Sequence, residues 1–152
     1  MDMGKRGFLR AGGALALVAT GLLRPLRAFA QQWNKAAFET KGIAATLKAL
    51  GGSGSTESAQ IQITAPDIAE NGAVVPITIE SAIPRTQSIA ILIEKNPTTL
   101  SASFDIPDGT DPFITTRVKM AETSNIYAVV RADGKYFHAA KEIKVTLGGC
   151  GG

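Results

Sequence analysis

The chain has 152 residues, of which 45% are apolar and 19% charged, with a formal net charge of +3, one histidine and one cysteine. That length makes one domain rather than two, and a single His and a single Cys exclude both the clustered ligand sets of zinc or haem sites and any internal disulfide. Five of the sixteen basic residues precede position 31, and the remainder carries eleven Lys/Arg against twelve Asp/Glu, which excludes the basic face that nucleic-acid binding requires.

The first thirty residues read as an export signal. A basic start, "MDMGKRGFLR", leads into an apolar stretch from Ala11 to Leu23, and "AFA" at Ala28–Ala30 is a small-residue cleavage site. The apolar stretch is shorter than the ~20 residues of a membrane span, so no membrane segment is expected in the mature form. Lys5, Arg6, Phe8, Leu9 and Arg10 follow the twin-arginine pattern, with Lys5 standing where the pattern has Arg. That route moves folded proteins, which suits export together with a bound partner. The mature protein then begins near Gln31, in an oxidising compartment, the periplasm.

Next comes a helix, expected over Trp33–Leu50, because Ile43, Leu47 and Leu50 recur at helical spacing and Trp33 and Phe38 add apolar bulk before them. Gly42 is a candidate interruption. "GGSGS" at 51–55 stops the helix and reads as a flexible connection. From Thr56 the pattern turns to period two. Seven strands are expected, over 61–65, 74–80, 88–94, 100–106, 113–120, 125–132 and 135–147, divided by turn signals such as "ENG", "KNP", "PDGTDP" and "ADG". This rhythm predicts a mainly β, immunoglobulin-like antiparallel β-sandwich with an N-terminal helix, spanning 31–147, followed by a flexible C-terminal tail over 148–152. Two of the strands are apolar on both faces. In "IAILI", Ile89, Ile91 and Ile93 point one way and Ala90 and Leu92 the other. The second face needs a cover, which either the helix or a partner protein can supply.

Residues with catalytic potential are few. His138, on the face shared with Glu142 and Lys144, reads as a solvated strand residue. Asp105, Asp108 and Asp111 do not have the spacing of a calcium loop and read as turn formers. No nucleophilic triad, phosphate loop or dinucleotide fingerprint is present, so the chain lacks the machinery of an enzyme, and no bound cofactor or metal is expected.

Cys150 is the exception. It is the third residue from the end, between Gly148–Gly149 and Gly151–Gly152. A cysteine is usually a small buried hydrophobe, but glycines offer nothing to pack and lose the most entropy on ordering. The pattern predicts a thiol on a flexible arm, able to enter a narrow pocket in another protein. Nothing adjacent would stabilise its thiolate, so activation is expected from the partner's pocket. A different reading is an exported binding or adhesion module whose tail cysteine forms an intermolecular disulfide.

The "GGCGG" terminus after a "KVT" strand, the twin-arginine-like leader and the helix ending "LKALGG" together resemble the SoxY family, periplasmic sulfur carriers of bacterial thiosulfate oxidation. The resemblance implies that Cys150 carries the sulfur and that Gly148, Gly149, Gly151 and Gly152 form the arm. It implies a heterodimer with a SoxZ-like sandwich subunit. It also implies three enzymes acting on the carrier: a haem c enzyme that conjugates thiosulfate, a manganese-dependent hydrolase that releases sulfate, and a sulfur dehydrogenase. The adducts would be a cysteine S-thiosulfonate and a persulfide.

Overall fold

The computed structural model describes residues 34–148. The signal positions Lys5, Arg6, Phe8, Leu9 and Arg10, the cleavage positions Ala28 and Ala30, and Trp33, Gly149, Cys150, Gly151 and Gly152 lie outside the described residues.

The helical segment is two helices, not one: α1 (Lys35–Glu39) and α2 (Ile43–Ala49). Gly42, with φ of 93°, makes the break. Its N–H donates to Thr99 Oγ1 at 2.7 Å, and Thr40 O accepts from Thr99 N, so the linker is bound to the sandwich rather than continuing the helix. Asn34 ties the two pieces together. Its Oδ1 accepts from Ala37 N and caps α1, while its Nδ2 donates to Ala49 O at 3.0 Å. After α2, Gly51 (φ 96°) and Gly52 close a Schellman end, donating to Lys48 O and Leu47 O. The "GGSGS" segment is anchored at its two ends, with Ser53 and Gly54 exposed between them. Gly52 is buried, Tyr136 Oη donates to Leu50 O at 2.6 Å, and Ser55 is bonded to His138.

All seven expected strands form. They are β2 (Ile61–Thr64), β4 (Val75–Ser81), β5 (Thr86–Ile93), β6 (Leu100–Asp105), β7 (Phe113–Val118), β8 (Ser124–Ala132) and β9 (Lys135–Val145). Two further strands of two residues each, β1 (Thr56–Glu57) and β3 (Ile68–Ala69), run parallel to β9. The sandwich is therefore antiparallel except along this edge. Strands that short leave no period to read in the sequence. The larger sheet has the order β1-β9-β8-β5-β6, with β3 also on β9, and the smaller sheet has the order β2-β4-β7. Pro76 sits in the central strand of the smaller sheet, but β2 pairs with β4 only from Ser81 to Thr78, so the missing proline N–H falls beyond that ladder. Asp133 (φ 49°) and Gly134 (φ 71°) turn β8 into β9 through a two-residue loop, the left-handed pair that matches strand twist.

The two faces of β5 separate as the alternation predicts. Ile89, Ile91 and Ile93 enter the core between the sheets with Ile77, Ile79, Ile126 and Val130. Ala90 and Leu92 enter a second cluster with Val129, Leu100, Ala37 and Leu47. The helix pair is thus the cover for the outer face of the larger sheet.

Candidate functional site at the end of strand nine

β9 delivers the chain to its tail, and the segment that follows it is held on two sides. On one side, Thr146 N donates to Ala69 O at 3.1 Å and Thr146 Oγ1 to Glu70 O at 3.0 Å, while Gly72 N donates to Leu147 O at 2.7 Å. On the other side, Val145 N donates to Thr123 Oγ1 at 2.9 Å. The two sides are joined, since Met120 N donates to Gly72 O at 2.7 Å. Behind them Asn96, 7% exposed, grips the 119–121 turn by donating to Lys119 O and accepting from Ala121 N. Gly148 lies against the Ala121 carbonyl. Leu147, in this root, is 66% exposed.

Of the sequence-derived site residues, Gly148 is the one that falls within the described region, and it stands at the root of the tail. The bracing residues, Asn96, Ala121 and Thr123, could not be singled out in the sequence. They look like ordinary turn formers, and only the register of β9 brings them to the tail. "ENG" at 70–72 carries a turn signal, but its pairing with Leu147 is a product of the fold.

His138 is half-buried rather than solvated. Ser55 Oγ lies 2.9 Å from its Nδ1, and the Tyr127 ring is 6.0 Å away, centroid to centroid. No acid follows in the described hydrogen-bond chain, and the contact pins the loop after α2 to β9. Asp105, Asp108 and Asp111 are exposed around a turn in which Thr110 N donates to Pro107 O and Gly109 takes φ of 79°. Among the described residues no group of three or more His, Cys, Asp or Glu could hold a metal ion, and no helix is long and apolar enough to cross a membrane.

Comparison with protein families gives a match over residues 47–150 to the model described as sulfur oxidation protein SoxY. This chain belongs to the SoxY family. The match begins in α2, spans the sandwich and reaches Cys150. A solved structure of the sulfur carrier protein SoxY from Chlorobium limicola f thiosulfatophilum is 41% identical, with a TM-score of 0.59, covering 66% of this chain and 93% of that one. The two-sheet architecture of the SoxY neighbour agrees with the sandwich seen here. A solved engineered protein aligns at 14% identity and a TM-score of 0.39 over 59% of this chain and 21% of its own, too slight a likeness to carry an argument. Comparison with curated proteins gives no match.

Proposed function

We propose that this protein is a sulfur carrier of thiosulfate oxidation and that Cys150 is the atom-bearing residue. The observation that carries the reading is a family match that runs to the only cysteine in the chain, set in "GGCGG" directly after the braced end of β9. The sandwich contributes a rigid mount, and the tail contributes the thiol.

The chemistry proceeds on the Cys150 sulfur. A thiolate and thiosulfate join through a new S–S bond to give Cys–S–S–SO3−, releasing two electrons to the haem c of a conjugating enzyme. Hydrolysis of the S–SO3 bond by one water then yields sulfate, two protons and the persulfide anion Cys–S–S−, with no change in electron count. A sulfur dehydrogenase takes the persulfide sulfur further. The carrier's residues supply only the nucleophile and its reach, because the thiolate is the reactive form and the receiving pocket must stabilise it. A SoxZ-like subunit as heterodimer partner, and export to the periplasm by the twin-arginine route with cleavage after Ala30, complete the proposal. N-terminal sequencing of the periplasmic protein should begin at Gln31.

Intact mass spectrometry of the protein from thiosulfate-grown cells tests the role. The C-terminal peptide should carry thiosulfonate or persulfide masses. Cys150→Ser should lose every adduct and all thiosulfate-dependent turnover, with an unfolding midpoint unchanged. A protein that shows only disulfide-linked dimers under these conditions is not a carrier.

A further inference from the structure

The root of the tail has a fixed end. Leu147 is bonded to Gly72, Gly72 to Met120, and the 119–121 turn to the buried Asn96. Gly148 comes directly after Leu147. A β-carbon on Gly148 would overlap the Ala121 carbonyl oxygen and stand 3.3 Å from its carbon. The Gly148 φ is not in the left-handed region, so what demands glycine here is space and not backbone conformation. Asn96 holds the peptides on both sides of Met120, directly before the Ala121 carbonyl, so the turn that carries this oxygen is anchored.

We propose that Gly148 is the seated pivot of the carrier tail, a positioning residue rather than part of its hinge, so that the tether to Cys150 begins at Gly149. This rests on the carrier reading above. The consequence is a short radius. Cys150 stands two residues beyond the pivot, a backbone reach of ~7 Å, against ~10 Å from Leu147 if Gly148 were free as well. A receiving enzyme must therefore bring its pocket to the surface around the exposed Leu147. Gly148 acts on that encounter and leaves the thiol's own reactivity alone.

The test uses the mature full-length chain with Gly148→Ala and Gly149→Ala, both at exposed or terminal positions. Three readouts are needed: hydrogen exchange at the Gly72 amide, the spectrum of a nitroxide on Cys150, and transfer kinetics with the thiosulfate-conjugating enzyme. Gly148→Ala should raise Gly72 exchange at least tenfold, free the nitroxide, and raise KM for the carrier severalfold with kcat held. Gly149→Ala should leave Gly72 exchange as in the parent. Unchanged Gly72 exchange in Gly148→Ala, or an equal rise in Gly149→Ala, overturns the pivot. Exchange is read without any sulfur chemistry, so the pivot can fail while adducts still form on Cys150, and absent adducts would sink the carrier role with the exchange result still standing.

Discussion

At the scale of single residues, the side chains that matter most are those that give an unusual backbone somewhere to go. Thr99 is fully buried and holds the Gly42 N–H, and Tyr136 reaches from β9 to satisfy Leu50 O at the end of α2. Tyr136→Phe should lower stability by about 1 kcal/mol, the net worth of one such bond, measured by urea unfolding. Tyr127 gives a pH prediction. Burial, and after it the charge of Glu94, pushes its phenol above the ordinary value. The folded state thus favours the neutral phenol, whereas the unfolded chain ionises at its usual value of ~10. The Tyr127 contribution is present in full below that pH and is lost as pH rises through the raised folded value. Alkaline unfolding of Tyr127→Phe should be less steep than that of the parent, and parallel curves would refute it. Arg85 and Asp133, both at positive φ, form an ion pair across two turns. Both groups are in solvent, so Arg85→Ala should change little.

At the scale of elements, the strands were legible because β-branched residues alternate cleanly. In β4, Val75, Ile77 and Ile79 go inward while Pro76, Thr78 and Glu80 go outward. β5 was legible too, including its second apolar face. Leu92 on that face is fully buried under the helices. Leu92→Ala should cost about 2–5 kcal/mol, the range for a core leucine left as a cavity, read as a lower denaturant midpoint. The helix boundary was less legible. Apolar spacing runs through Gly42 without a break, and what ends α1 is Thr99, more than fifty residues away in sequence. The pairing of β1 and β3 with β9 was not legible at all, since two-residue strands form only where a neighbour's edge is already in place.

At the scale of the whole molecule, three layers follow one another: the helix pair, the larger sheet and the smaller sheet. The helix pair and the sandwich fold together because each covers apolar surface the other cannot hide. Removing residues 34–50 would strip Ala90, Leu92 and Val129 of their cover. The truncated chain should self-associate by light scattering, where the parent does not; a well-behaved truncated protein would mean the face tolerates water. The same layering gives β9 its role. It is the strand that touches β1, β3 and β8, and its end is the place from which the tail departs.

The sequence by itself determined the seven main strands and the sandwich class, because side-chain alternation is a local property of the chain, and a glycine-flanked thiol, equally local, is what the proposed carrier chemistry rests on. Tertiary structure alone decided what lies over the second face of β5 and what holds the root of the tail. Those depend on contacts between residues far apart in sequence: Leu92 with Leu47, Gly72 with Leu147, Asn96 with Ala121. A carbonyl oxygen that leaves no room for a β-carbon is invisible in a string of letters, and the Ala121 oxygen beside Gly148 is the case in point.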